Sequence, residues 1–394
     1  MRRIKIFYFI PNLQQGGPER QILEMIRRLP ARFEPVLCVY DDKNVFFDDR
    51  LPPGQPRHSL GVAKMGPGAL RRLTAILEQE QPDIVHSYRD KANFWMRLAA
   101  RRAGVPVLIT SCRNRMMQLR YLLIERFMSR GTRLILTNSE GVKHELTRYA
   151  RVAPDKIRVI YNILDLEFFR PPTEEERAAA RRTWNLQPHE RALILPGRVG
   201  VQKHQIGFLR ALAALAKQGR LPAGTVVLLA GRDRDPIASR WVHRLAEQPA
   251  LKPVVRRLGA QKDMRSLYWA SDALVMPSLY EGLANAALEG CACGLPAVLS
   301  HAANVDRIVE PGRTGFEVPT FRHGALVSAL DELLSLPRAR WEEMGRMGRE
   351  HVHARFAPTP LAVVDQTVAV YEELLAEVRP DRVRTTLARE SASS

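Results

Sequence analysis

The sequence predicts an α/β protein built from two parallel-sheet domains in series. Three observations lead there. Short apolar runs alternate with amphipathic stretches along almost the whole chain, the alternation stops at Pro171-Pro172 and then begins again, and 394 residues with 45% hydrophobic content suit two or three ordinary globular domains.

The elements follow in order. Ile4–Phe9 reads as a strand and leads to a helix from Pro18, then to a strand Pro35–Tyr40. A helix Ala69–Glu80 precedes strand Asp83–His86, and a helix Ala92–Arg102 precedes strand Val105–Thr110. Next come a basic amphipathic stretch, strand Leu134–Leu136, a helix Ser139–Tyr149 and strand Ile157–Ile160. Periods that switch between strand and helix in this way describe a parallel sheet covered on both faces. After Pro171-Pro172 and the acidic helix start Glu174-Glu175-Glu176, strands recur at Ala192–Leu195, Thr225–Ala230, Val254–Arg257, Ala273–Met276 and Ala297–Ser300. Helices Trp341–Arg355 and Leu361–Val378 close the chain before a polar tail. The expected domains are 1–170 and 171–357, followed by a helix over 358–380 and a tail over 381–394. Two such sheets present the carboxyl ends of their strands to a shared cleft, so ligand groups are expected in strand-to-helix loops.

Composition narrows the function. The chain carries 60 Lys+Arg against 42 Asp+Glu, a formal +18, and residues 1–170 hold 30 of those cations against 17 acids. Arg113 to Arg133 contains six Arg and the single acid Glu125, interleaved with Met, Leu, Tyr and Phe. That pattern fits either a surface helix with its apolar stripe in the core or a helix that meets anionic lipid. Nucleic acid is not expected, because aromatic content is low and no recognised nucleic-acid motif accompanies the charge. Cys38, Cys112, Cys291 and Cys293 lack zinc spacing and are too few for a disulfide scaffold, which points to a reducing, cytoplasmic compartment. No apolar run near the start approaches the roughly 18 residues that a spanning helix needs, so neither a signal peptide nor a transmembrane helix is expected.

Four loops carry candidate chemistry. Gly16-Gly17-Pro18-Glu19-Arg20 follows the first strand, and its backbone N–H groups suit a phosphate or a sugar hydroxyl. Arg198 and Lys203, five residues apart after the strand Ala192–Leu195, suit a diphosphate. Glu281-Gly282-Leu283-Ala284-Asn285 follows the strand Ala273–Met276. Glu289 is expected about two turns into the next helix, whose free N–H groups at Leu283, Ala284 and Asn285 would meet a diphosphate while a deeper carboxylate accepts ribose hydroxyls. Asp233-Arg234-Asp235 has a metal-like spacing, but Arg232, Arg234 and Arg240 make it a poor cation site, and no metal or other cofactor is expected.

Gly-Gly-Pro-Glu-Arg at 16–20, Ile160-Tyr161-Asn162 with Asp165, Gly197-Arg198 with Lys203, Gly231, Tyr268 with Ala270-Ser271-Asp272, and Glu281-x7-Glu289 with Gly294-Leu295-Pro296 together resemble the retaining, glycogen-synthase-like group 1 (family 4) glycosyltransferases. The resemblance spans about residues 4–378 and is tighter in the second half. It implies the GT-B fold, with two Rossmann-like domains and a last helix that crosses back to the first. It further implies an acceptor-binding first domain and a second domain that binds the nucleotide sugar, with Arg198 and Lys203 on the diphosphate, Glu289 on the ribose and Glu281 on the donor sugar. UDP is the first expected base and GDP the second; the acceptor would be a lipid-linked or surface glycan at the inner membrane face, reached through the Arg113–Arg133 region. Where many relatives have a His near the reacting sugar, this chain has Cys112-Arg113, so Arg113 is a candidate cleft contact, as is His86; Ile163 stands where relatives commonly have Gly. A nucleotide-sugar epimerase of the same fold and a non-enzymatic binder of anions are the alternatives, the latter having no use for two carboxylates beside a phosphate site.

Overall fold

A computed structural model of the chain describes residues 3–13, 17–42, 51–115, 119–356 and 359–381. They form two compact units, Met1–Ile163 with Pro360–Ser394, and Leu164–Thr359.

The first unit runs β1 (Ile4–Ile10), α1 (Gly17–Arg28), β2 (Phe33–Val39), β3 (Arg57–Ser59), α2 (Pro67–Glu80), β4 (Ile84–Tyr88), α3 (Asp90–Arg102), β5 (Val107–Cys112), α4 (Leu119–Met128), β6 (Leu134–Thr137), α5 (Glu140–Arg148) and β7 (Ile157–Val159). Its strands are all parallel in the order β3-β2-β1-β4-β5-β6-β7. The chain order reverses between β1 and β4, the place where such sheets open a crevice at their carboxyl edge.

β1 shows how sequence period becomes two cores. Ile4, Ile6, Tyr8 and Ile10 pack with Ile22 and Ile26 on one face, while Phe7 and Phe9 pack with Leu73, Leu77 and Met96 on the other. A strand buried on both sides reads as a nearly continuous apolar run, as Ile4–Phe9 does.

Inside the basic stretch, the one acid turns inward. Glu125 is the only buried residue of α4, and it takes two hydrogen bonds from Arg97 on α3, at 2.9 and 2.6 Å. Arg97 also donates to Thr132 Oγ1 at 2.7 Å. An ion pair this deep holds together only while both partners are present. It fixes the rotation of α4, so Leu119, Leu123 and Phe127 stay 71, 44 and 69% exposed rather than entering the core. Met116 and Met117 of the same stretch lie outside the described residues.

The second unit runs α6 (Glu174–Thr183), β8 (Arg191–Pro196), α7 (Gln205–Lys217), β9 (Thr225–Ala230), α8 (Pro236–Ala246), β10 (Val255–Gly259), α9 (Met264–Ala270), β11 (Ala273–Met276), α10 (Asn285–Ala292), β12 (Ala297–Ser300), β13 (Gly315–Val318), α11 (His323–Ser335) and α12 (Arg338–Phe356). The strand order is β10-β9-β8-β11-β12-β13, again parallel throughout. The chain passes into this unit at 163/164 rather than 170/171, because Phe169 packs edge-on against Tyr268 and the Arg170 carbonyl accepts from Trp269 Nε1 at 2.7 Å. The last helix, α13 (Pro360–Val378), adds Val364, Val368, Tyr371 and Leu375 to the core of the first unit.

Candidate active site

In the second unit two glycines let two strand-to-helix loops touch. Gly197 directly follows β8 with φ +136, and its N–H donates to the Ala230 carbonyl at 2.8 Å. A Cβ on Gly231 would lie 2.0 Å from the Gly197 oxygen, so only glycine fits there. Beyond that contact, Val201–Lys203 make one tight helical turn and His204 takes the left-handed conformation before α7.

This turn is zipped to the loop after β11. Leu279 N–H donates to the Gln202 carbonyl at 2.8 Å, Gln202 Nε2 donates to the Tyr280 carbonyl at 3.1 Å, and Lys203 Nζ donates to Glu281 Oε1 at 2.6 Å. Both charged side chains of that pair are nearly buried. Arg198, Lys203, Arg234 and Tyr280 line a crevice of about 400 Å³. Two cations from one loop and a third from the next, with Asp235 in the lining and Glu281 bonded to Lys203, suit an anionic group flanked by hydroxyls.

Glu289 is also buried, and its Oε2 accepts from Tyr268 Oη at 3.1 Å. The helix geometry differs from the expectation. α10 starts at Asn285, so Glu289 lies little more than one turn in, and Asn285 N–H is already donated to the Leu283 carbonyl at 2.9 Å instead of being free. Gly282, Leu283 and Ala284 precede the helix as a tight loop with Leu283 and Ala284 buried. Asp233 and Asp235 have other work: Asp233 pairs with Arg257 at 3.0 Å, and Asp235 caps α8 by accepting from the Ile237 and Ala238 N–H groups. Among the described residues no group of three His, Cys, Asp or Glu is placed to hold a metal ion.

In the first unit the sequence-predicted residues lie on or directly after β1, β4 and β5. Gly16 lies outside the described residues, while Gly17 opens α1. His86 is not at a strand end, since β4 continues to Tyr88. It is fully buried, with Nδ1 against Tyr371 Oη at 2.6 Å and Nε2 against Ser111 Oγ at 2.8 Å, which makes it a core residue and not an open cleft contact. Burial, with help from the Arg113 charge, holds its pKa well below the usual imidazole value. Arg113 is half-buried, stacked 5.0 Å over Tyr88 and donating to Asn162 Oδ1 at 2.6 Å. Cys112 is buried within β5, and burial raises its thiol far above the reactive range.

Sequence reasoning missed Arg89. It sits directly after β4 with φ +78 and pairs with Glu19, a fully buried carboxylate in the Gly-Gly-Pro-Glu-Arg segment. Nothing in the sequence joins residues 70 apart. Next to it, Asp90 is pushed up to about 6 by burial and by the Glu125 charge.

Two parallel-sheet units with a cationic crevice at a carboxyl edge define the GT-B class of fold. The comparisons agree: residues 15–168 match the family described as Glycosyltransferase Family 4, and residues 190–336 match Glycosyl transferases group 1. The chain belongs to the group 1 glycosyltransferases. It is 28% identical over 271 residues to the UDP-Gal:alpha-D-GlcNAc-diphosphoundecaprenol alpha-1,3-galactosyltransferase of Escherichia coli, covering 66% of this chain and 69% of the relative. It is 29% identical over 334 residues to the D-inositol 3-phosphate glycosyltransferase of Saccharomonospora viridis, covering 78% and 74%. In fold it is similar to Anabaena HepE crystallised with UDP and glucose, with a TM-score of 0.82 at 16% identity over 94% of this chain and 100% of the other. Sucrose-phosphate synthase of Thermosynechococcus elongatus gives 0.80 at 20% identity over 95% and 100%.

Proposed function

We propose that this glycosyltransferase works without a metal and with retention, moving a sugar from a UDP-sugar to a hydroxyl of a lipid-linked or cell-surface glycan at the cytoplasmic face of the membrane. The observation that carries the reading is the crevice in which Arg198 and Lys203 lie together beside Glu281. Breaking the anomeric C–O bond leaves charge on the departing diphosphate, and preorganised cations stabilise that charge more than they stabilise the intact donor. Lys203 and Arg198 take that role, Glu281 holds donor-sugar hydroxyls, and Glu289 holds the ribose. The choice of UDP is supported by the Escherichia coli relative, whose name contains UDP-Gal, and by the HepE complexes with UDP. The same relative's name contains a diphosphoundecaprenol-linked sugar, which supports a lipid-linked acceptor.

Membrane association rests on α4. Among the described residues no helix is long and apolar enough to cross a membrane. Leu119, Leu123 and Phe127 instead form an exposed stripe at helical spacing, flanked by exposed Arg120, Arg126 and Arg130. Apolar side chains with arginine neighbours match an anionic headgroup layer.

The test is a thermal-shift series with UDP, GDP and ADP, with and without EDTA, since a ligand of the native state raises the midpoint. A selective, EDTA-insensitive rise with UDP is expected; a rise that needs a divalent ion overturns metal independence. Glu281→Gln should then lower transfer by orders of magnitude at a temperature well below its reduced midpoint, where the variant is still folded, and wild-type turnover in that variant removes its assigned role. The anomeric configuration of the product, read by NMR, decides retention.

A further inference from the structure

A second helix, in the other unit, repeats the design of α4. α8 buries Ala238, Val242, Leu245 and Ala246 and turns Ile237 and Trp241 outward, 70 and 43% exposed and one turn apart. Arg232, Arg234, Arg240 and Arg244 are exposed around them, and the Arg244 guanidinium lies 5.5 Å from the Trp241 ring centre.

The charge of this face is not neutralised locally. Each nearby acid is already engaged: Asp233 with Arg257 at 3.0 Å, Glu247 with Lys252 at 3.1 Å, and Asp235 with the N–H groups of Ile237 and Ala238 at 3.0 and 3.1 Å. Among the described residues none of the four arginines has a carboxylate partner. An exposed isoleucine and tryptophan ringed by unpaired arginines would be a poor choice for a solvated helix. Tryptophan partitions to the boundary between headgroups and acyl chains, and arginines beside it meet lipid phosphates.

We infer that the outward face of α8, Ile237 and Trp241 with Arg240 and Arg244, is a second membrane contact of this protein, seated on anionic phospholipid. It takes its partner class from the membrane reading of α4 but rests on its own residues. Arg234 also lines the cationic crevice, so the same arginine-rich segment serves both the bilayer contact and the crevice of the second unit. Two weak attachments on one chain reinforce each other when both reach the same surface.

The experiment uses the full chain and vesicles of pure phosphatidylcholine or of phosphatidylcholine with one third phosphatidylglycerol. Co-sedimentation is measured for the wild type, for Ile237→Ser/Trp241→Ser and for Leu123→Ser/Phe127→Ser. Wild-type binding to the anionic vesicles should weaken at least roughly fivefold in the α8 double variant and fall with added salt. In parallel, brominated phosphatidylglycerol should quench wild-type tryptophan fluorescence, and Trp241→Phe, a mild change, should remove that quenching. The proposal is overturned if the α8 variant binds as the wild type does, if Trp241→Phe is quenched equally, or if neutral vesicles bind as well as anionic ones. Loss confined to the α4 variant sinks this inference and keeps the α4 reading. Loss confined to the α8 variant does the reverse, and a wild type that ignores both vesicles overturns both.

Discussion

The pair Lys203 and Glu281 illustrates how one contact serves stability and chemistry at once. Removing one partner strands a nearly buried charge, which costs about 3–5 kcal/mol, whereas neutralising both costs far less. Lys203→Ala should therefore lower the thermal midpoint markedly, Lys203→Met/Glu281→Gln should restore most of it, and transfer should be lost in both; calorimetry beside a turnover assay separates the two effects. Around His86 the polar atoms are buried and bonded to one another. Tyr371→Phe deletes the hydroxyl that meets His86 at 2.6 Å and Tyr8 at 3.2 Å, and should cost about 1–3 kcal/mol in chemical denaturation. His86 also carries a pH signature. Its folded pKa is depressed, so below the unfolded value of about 6.5 the unfolded chain binds the extra proton and stability falls with pH. Asp90, raised to about 6, acts in the opposite sense, because its ionisation cost is relieved as pH falls through that value. The acid-side loss of stability should thus be smaller in His86→Asn than in the wild type, measured as the difference between their midpoints at pH 7 and pH 5.5.

At the scale of elements, loops rather than helices set the site. Gly231→Ala would put a carbon against the Gly197 carbonyl, and the backbone that carries Arg198 would have to move. The expected result is loss of the UDP-induced midpoint rise with a smaller loss of basal stability; an unchanged UDP response would show that the two loops need not touch. The same loops mark where sequence reading stops. Strands such as β8, β9 and β11 announce themselves as apolar runs, and Arg198, Lys203 and Glu281 follow from their places after those runs. β3 and β13 do not: Arg57-His58-Ser59 has no apolar pattern, and Gly315–Val318 is four residues at a sheet edge. Contacts between distant segments are equally silent. Nothing local says that Lys203 reaches Glu281, that Arg89 reaches Glu19, or that Tyr371 closes over His86. The exposure of Leu119, Leu123 and Phe127 also escaped the apolar pattern, because it depends on Glu125 finding Arg97 on another helix.

At the scale of the molecule, each unit has its own buried core, so calorimetry should resolve two unfolding events. The upper limit on their independence is α13, whose Val364, Val368, Tyr371 and Leu375 belong to the core of the first unit. Truncation before Pro360 should lower the transition of the first unit strongly and leave the other nearly in place; equal shifts in both would show that the two melt as one. At the crossing itself, Gln21 brackets Ile163, donating to its carbonyl at 2.9 Å and accepting from its N–H at 2.6 Å. The residue that replaces the familiar glycine is thus pinned by its backbone, and its side chain is buried.

That the first unit is assembled from both ends of the chain has a consequence for biogenesis. On the ribosome its sheet emerges early but lacks the helix that covers Tyr8 and His86 until the whole of the second unit, which lies between them in the chain, has been made. The second unit, continuous in the chain, completes first. The nascent first unit therefore holds an open apolar face for as long as those intervening residues take to be made, which exposes it to translation pauses and gives chaperones a surface to hold.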